Sequence, residues 1–183
     1  MTGGYKSLIV YQQAVLIQDL NTEFCQKYLA DNGKGIPTRR TVDQMTQAAR
    51  SGKQNIVEGS LEKSLKMNIN LTGVSRASFG ELKEDYEDFL RSRNLPIWDK
   101  NDPRVLEIRA LRVSTNLTNE SNKSNLSNLA NTPERFANLM ITLISKETYL
   151  LDQMLRSLEK KFINEGGYSE NLFRKRLEQR KKI

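Results

Sequence analysis

Hydrophobic residues recur at intervals of three and four along four segments of the chain, the pattern of a helix with one buried face. The first segment runs from about Leu8 to Asp31. The second begins near Thr41, which forms a capping-box pattern with Gln44. The third spans roughly residues 66–93 and the fourth roughly 132–164. These segments predict an all-α protein, an up-and-down four-helix bundle.

The buried faces of the second and third helices differ in residue size. Small residues on the second predict a close approach of a neighbouring backbone; this face comprises Val42, Met45, Ala49, Gly52, Ile56 and Gly59. Larger residues dominate the stripe of the third, which comprises Leu71, Val74, Ser78, Leu82, Tyr86 and Phe89. The two faces are therefore predicted to pack in the core.

Capping residues mark the ends of the fourth helix. Thr132 is a suitable N-cap, and Gly166-Gly167 ends the helix. Ser169 is then predicted to cap a basic helix from Glu170 to about Gln179. The chain thus divides into a bundle, residues 1–165, and a basic C-terminal suffix, residues 166–183.

The connection between the third and fourth helices contains three distinct parts. Pro96 to Pro103 is predicted as a loop, with Trp98 capping one end of the core. A short extra helix follows from Arg104 to about Val113. Asparagine then falls at every third position from 116 to 131, a period that matches neither a helix nor a strand, which predicts a flexible, solvent-exposed insertion.

The composition excludes several kinds of chemistry. The chain has no histidine and one cysteine, Cys25, so histidine-based triads and cysteine/histidine zinc sites are ruled out. No cofactor is predicted. The longest apolar run, Leu139 to Ile144, is far shorter than the roughly 20 residues of a membrane span. With no recognisable signal peptide, a cytoplasmic location is expected.

Positive charge is concentrated at the C-terminus. The formal net charge is +7, and residues 160–183 carry eight basic and three acidic residues. Such a tail favours polyanions such as RNA or DNA, although a merely solvated terminus has the same composition. Tyr168 and Phe173 can stack on bases there or pack against the bundle. The predicted phosphate-contacting residues are Arg39, Arg40, Lys53, Lys160, Lys161, Arg174, Lys175, Arg176, Arg180, Lys181 and Lys182.

Two stretches in the second and third helices, Gln47–Gly59 and Ser75–Leu82, resemble bacterial four-helix-bundle proteins, some of which are encoded by intervening sequences within 23S ribosomal RNA genes. The start, Gly3–Tyr11, and the end, Glu165–Tyr168 with the basic run after it, resemble the subgroup with a C-terminal suffix. Residues 99–131 lie outside the resemblance. It implies a ring, typically a homopentamer, and kinship with an accessory protein that binds nucleic acid and a reverse transcriptase.

Polar residues within the helices suggest an internal network. Glu147 lies on the seam of the fourth helix, where an isolated charge must pair or become neutral. A buried or interfacial arrangement that fixes helix register or subunit contacts is the preferred interpretation, and a ligand site or ordinary surface pairing are the alternatives. The residues of this predicted polar network are Arg50, Asn55, Glu58, Arg76, Glu81 and Glu147.

Three functions are compatible with these features. The first is a non-enzymatic homo-oligomer that binds RNA or DNA as an accessory factor, and the second is an interaction scaffold or adaptor for a protein partner. The third is a magnesium-dependent nuclease using the acidic run Glu81, Glu84, Asp85, Glu87 and Asp88, in which carboxylates three and four apart share a helical face. A solvated face explains the same acidic run, and no metal site is assigned.

Overall fold

The computed structural model describes residues 4–29, 38–110 and 130–181. Of these, 86% are helical and none is in a strand, so the all-α prediction is confirmed. A 3-10 turn at Tyr5–Ser7 precedes the first helix, which continues into a π-helical segment, Cys25–Leu29. The α-helices are α1 (Ile9–Phe24), α2 (Thr38–Leu61), α3 (Leu65–Ser92), α4 (Pro103–Ala110), α5 (Pro133–Glu165) and α6 (Tyr168–Arg180).

Helix α5 packs against both α1 and α3, and α2 packs against α1 and α3 from the other side. The side chain of Gln13 on α1 donates a hydrogen bond to the carbonyl of Leu143, and Phe24 lies against Phe136. As the residue number rises on α1 it falls on α5, so these two helices run antiparallel.

The α2–α3 pair is also antiparallel and unusually close. Ser75 donates a hydrogen bond of 2.7 Å to the backbone carbonyl of Gly52, and Gly59 lies beside Asn68. The small residues predicted on α2 permit this close approach, because Gly52 has no Cβ to hold the two helices apart. Together α1, α2, α3 and α5 enclose an apolar core, which α4 extends by packing on α5.

An aromatic cluster lies at the end of the core where α5 begins. The ring of Phe24 is 4.8 Å from that of Tyr86, 4.9 Å from Phe89 and 5.4 Å from Phe136, with edge-on geometries that aromatic pairs prefer. Trp98 is buried next to this end of α5, where its backbone N–H donates to Asn138. Its predicted place at one end of the core is confirmed.

Several predicted boundaries agree with the structure. Helix α3 begins after Ser64, whose hydroxyl accepts the Met67 amide. The side chain of Thr132 caps α5 by accepting the Arg135 amide, as predicted. Gly166 ends α5 in a left-handed conformation, with φ of 76°. Most of the asparagine-rich insertion and the end of the predicted short helix lie outside the described residues.

Three local predictions are wrong. Helix α2 starts at Thr38, so Thr41 lies inside the helix and cannot be its N-cap. Val74 is 48% exposed, because the buried face of α3 turns towards Gly52 and takes in Ser75 and Phe79 instead. The last helix starts at Tyr168, and the Glu170 carboxylate accepts the amide of Gly167 in place of a Ser169 cap.

None of the described helices combines the length and the apolar character that a membrane crossing requires.

Candidate nucleic-acid interface

The C-terminal helix projects from the packed helices. None of the residues of α6 is buried, and α6 does not pack along any other described helix. The last turns of α5 share this exposure, since Ile163 is 80% exposed. We refer to residues 160–181 as the C-terminal arm.

Local bonds set the direction in which the arm leaves α5. A Cβ at Gly166 would lie 2.6 Å from the Glu170 carboxylate, which itself accepts the Gly167 amide at 2.8 Å. The side chain of Asn171 donates to the carbonyl of Glu165 at 3.0 Å. These contacts join the first turn of α6 to the last residues of α5, so the turn is built by local hydrogen bonds without help from the core.

Seven of the predicted C-terminal cations are described, and they lie on the surface of this arm. Lys161 is 4.0 Å from Glu165, and none of the other six forms an ion pair with a described residue. Exposed cations that are not neutralised by neighbours are suited to phosphate contacts. The described members are Lys160, Lys161, Arg174, Lys175, Arg176, Arg180 and Lys181; Lys182 lies outside the described residues.

The other predicted cations lie on α2, away from the arm. Arg39 and Arg40 lie in its first turn, and Lys53 is half-buried near its middle. Phe24 contacts both Tyr86 of α3 and Phe136 of α5. Since Arg76 also pairs with Asp152, α3 and α5 run antiparallel. The end of α5 therefore lies beside the start of α3, at the opposite end of the molecule from Arg39. The structure therefore separates the predicted cations into two groups.

Arg40 borders a cleft of about 580 Å³ between α2 and α3, which we call the α2–α3 groove. Three carboxylates line it with Arg40, so the surroundings of this arginine are acidic. Burial, followed by the charges of Asp88 and Glu81, raises the pKa of Asp85. The lining residues are Arg40, Asp43, Gln44, Gln47, Ala48, Ser51, Ser78, Glu81 and Asp85.

Among the described residues, no hydrogen bond or ion pair joins two of the six residues of the predicted polar network. Arg76 pairs across helices with Asp152, at 2.5 Å, rather than with a glutamate. The side chains of Asn55 and Glu58 make hydrogen bonds only within α2. Arg50 lies at an exposed position on α2, outside any such cluster. Asp152 was not predicted because nothing in its own segment of sequence distinguishes it from other exposed acids on α5.

Glu147 is fully buried, and neither of its carboxylate oxygens has a hydrogen-bond partner among the described residues. Burial raises the pKa of Glu147 well above its ordinary value. The amide of Gln13 lies one helical turn away, donating to Leu143, and its own oxygen is also buried without a partner. Of the two outcomes predicted for a charge on this seam, neutralisation is the one that fits.

The side chains usually required for catalysis are poorly placed. Cys25 is buried, and burial raises the pKa of its thiol to about 11, which disfavours the nucleophilic thiolate. Within the part of the chain that the structure describes, no three acidic or cysteine side chains come together in a group that suits a metal ion. Two members of the acidic run on α3 pair with neighbours instead, Glu87 with Lys83 and Asp88 with Arg91.

Two apolar residues of the arm were not predicted to be functional. Leu172 and Leu177 are 49% and 42% exposed and lie near Phe173. Their spacing of five does not produce a regular helical stripe, so the pattern of the sequence did not distinguish them.

A comparison with protein-family models, with curated proteins and with solved structures finds no match for this chain.

Proposed function

We propose that this protein is a non-enzymatic, homo-oligomeric four-helix-bundle protein that binds RNA or DNA as an accessory factor through its C-terminal arm. The observation that carries the proposal is the exposed position of α6. A helix with four cations, none in an ion pair with a described residue, is held out from the core by its own local hydrogen bonds.

The arrangement of the four long helices supports the bundle. Each of α1, α2, α3 and α5 packs on two of the others, and the pairs α1–α5, α2–α3 and α3–α5 are antiparallel. This is the packing expected of an up-and-down bundle. The resemblance to bundle proteins of 23S ribosomal RNA intervening sequences adds a pentameric ring and a reverse transcriptase partner to the proposal. The cytoplasmic location expected from cysteine usage is also part of it.

A binding role is favoured over catalysis by the state of the reactive groups. The thiol of Cys25 is buried, Glu147 lies in the core away from solvent, and the acidic side chains of α3 are partly paired. Electrostatic binding of phosphates, in contrast, needs only exposed cations and a scaffold that presents them.

Fluorescence anisotropy with labelled single-stranded RNA, single-stranded DNA and duplex DNA at graded salt tests the proposal. Removing three cations with Arg174→Ala, Lys175→Ala and Lys181→Ala should weaken binding to all three. The slope of log affinity against log salt should fall by about 2–3, because each phosphate contact contributes about 0.7–0.9.

The matched control removes the same charge elsewhere. Lys6, Lys27 and Lys100 are exposed and lie outside the arm. Their triple alanine variant should bind almost as the unmodified protein does. Equal losses in the two variants, or binding that ignores salt, would refute a role for the arm.

A scaffold or adaptor without nucleic-acid binding is the second candidate. The exposed Leu172, Phe173 and Leu177 favour it, because such side chains are typical of protein contacts. This function predicts no binding to any of the three nucleic acids at low salt, together with a partner interaction that is lost when these three residues become Ser.

A further inference from the structure

The side chains of α6 divide between two faces of different character. At about 100° per residue, Leu172, Phe173, Arg176, Leu177 and Arg180 fall within one half of the circumference. This face contains apolar groups and two arginines but no acid, and we call it the apolar-basic face. The other half carries both acids of the helix together with the remaining cations: Glu170, Arg174, Lys175, Glu178 and Lys181.

The apolar-basic face has no partner among the described residues. Phe173 is 61% exposed, and Leu172 and Leu177 are each more than 40% exposed. Arg176 and Arg180, one turn apart, form no ion pair with a described residue. A protein surface that covers this face must therefore be apolar in part and negatively charged opposite the two arginines.

The α2–α3 groove meets the requirement for negative charge, and Ala48 is the apolar residue in its lining. Its charged residues are Asp43, Glu81, Asp85 and Arg40, so acids outnumber the cation by three to one. None of the three acids forms an ion pair with a described residue. The partly buried carboxyl of Asp85, close to the charge of Glu81, would gain from a cation brought to it.

We propose that the apolar-basic face of α6 in one copy docks into the α2–α3 groove of a second copy. Arg176 and Arg180 are four residues apart on α6, as Glu81 and Asp85 are on α3. Both pairs therefore have the same spacing of about 6 Å along a helix, and the two arginines meet the two carboxylates without distortion of either helix.

The occupant is a second copy because the arm does not lie on the groove of its own chain. The arm leaves the molecule beside the start of α3, whereas Glu81 and Asp85 lie about 24–30 Å further along that helix. Two hydrogen bonds hold α6 in its outward direction: the Gly167 amide donates to the Glu170 carboxylate, and the Asn171 side chain donates to the Glu165 carbonyl. A second molecule supplies the groove without breaking them.

This inference rests on the proposed homo-oligomer and identifies its interface. A contact between an arm and a groove joins two different surfaces, so repetition closes a ring or extends a chain. The opposite face of α6, with Arg174, Lys175 and Lys181, remains outward in the assembly. Those three cations are the ones removed in the binding test. In this arrangement Arg176 and Arg180, also among the predicted phosphate-contacting residues, serve assembly instead, so assembly and phosphate binding use different faces of one helix.

Charge reversal tests the interface by sedimentation velocity without nucleic acid. One variant carries Glu81→Lys and Asp85→Lys, and the other carries Arg176→Glu and Arg180→Glu. The unmodified protein should sediment as an oligomer that dissociates as salt rises, and each variant alone should sediment as a monomer. An equimolar mixture should reassociate, because each variant then meets a complementary arm and groove.

A matched control reverses charge on the opposite face of the same helix. Arg174→Glu with Lys181→Glu should assemble as the unmodified protein does. The far-ultraviolet circular dichroism of every variant checks that it is folded. A Phe173→Asp variant, which leaves both pairs of charges intact, should also lower the association constant at least tenfold.

The proposal is overturned if the unmodified protein is monomeric at all concentrations, if either reversal variant assembles normally, or if the folded variants fail to reassociate when mixed. The proposed nucleic-acid binding is judged separately. The Glu81→Lys, Asp85→Lys variant retains every cation of the arm, so loss of its assembly with RNA binding intact supports both proposals. Assembly without any nucleic-acid binding supports the interface alone.

Discussion

Gly52 is the residue on which the contact between α2 and α3 depends most. A Cβ built there would lie 2.7 Å from two carbon atoms of the Phe79 ring, closer than carbon atoms approach one another. Phe79 is fully buried, so its ring can move only by displacing other core residues. The hydrogen bond from Ser75 to the Gly52 carbonyl requires the same close approach.

Gly52→Ala is therefore expected to lower the free energy of unfolding by about 1–3 kcal/mol, as overpacked cores do. Gly73→Ala is the control, because nothing lies within 4 Å of its Cβ position. Removing a glycine from the interior of α3 there should stabilise the protein by up to about 1 kcal/mol. Urea titrations measure both. Equal effects of the two substitutions would contradict the close approach.

Glu147 makes the free energy of unfolding depend on pH. Folding raises its pKa above the ordinary 4.5, so the folded state retains a proton that the unfolded chain loses. Below that ordinary value both states are protonated and folding carries no penalty from this residue. As pH rises above it, stability decreases until the pKa of the folded state is reached.

Glu147→Gln removes the ionisable group while keeping its size. The variant should match the unmodified protein near pH 4 and become increasingly more stable than it as pH rises above 4.5, because only the glutamate has a proton that the unfolded chain loses. Denaturant unfolding across this pH range measures the difference. The same substitution at exposed Glu84 is the control. A constant difference at all pH values would show that Glu147 does not titrate as its burial implies.

At the scale of elements, α5 has two halves with different roles. Residues 136–144 are buried without interruption, whereas beyond Leu151 no residue of the helix is buried. The change follows from the length of α1, which lies opposite Leu143 at Gln13 and ends its contact with α5 soon after. The rest of α5 runs past α1 and carries α6 away from the core.

Deletion of residues 168–183 should leave the monomer as stable as before, because α6 buries no residue. The midpoint of urea unfolding, measured at a protein concentration where the chain is monomeric, should change by less than about 0.5 kcal/mol. Deletion from Leu151 onwards removes a buried core residue and should be strongly destabilising. A large loss on the shorter deletion would indicate that the arm packs on its own chain.

At the scale of the whole molecule, the burial of side chains decreases from one end to the other. The aromatic cluster around Phe24 and the buried Trp98 lie where α5 begins, and the exposed arm follows its opposite end. Local opening should therefore be least frequent near Phe136 and most frequent in α6, because opening follows the density of buried contacts.

Amide hydrogen exchange measures this gradient. The amides of residues 136–147 should exchange most slowly, at rates that approach global unfolding. Those of residues 168–180 should exchange fastest among the described helices. Uniform protection along α5 and α6 would contradict the division between core and arm. The comparison belongs at high salt, where the proposed assembly is dissociated.

Much of the fold was predictable because its signals are local. Thr132 and Gly166 mark the ends of α5 through hydrogen bonds and backbone angles within a few residues. Val74 was assigned to the buried face of α3 and Ser75 was left out of it, because hydrophobicity alone does not show that a serine hydroxyl has a buried carbonyl to bind. Asp152 gave no signal, since its ion pair with Arg76 depends on an element distant in sequence.

The sequence by itself determined that the chain is helical, where most of its helices end, and that its positive charge is concentrated at the C-terminus. These properties follow from residue spacing, capping and composition. The tertiary structure decided the direction of each buried face, the isolation of Glu147 and the exposure of α6. Such features depend on which helices meet and how closely, and at Gly52 that distance is set by the absence of a single side chain.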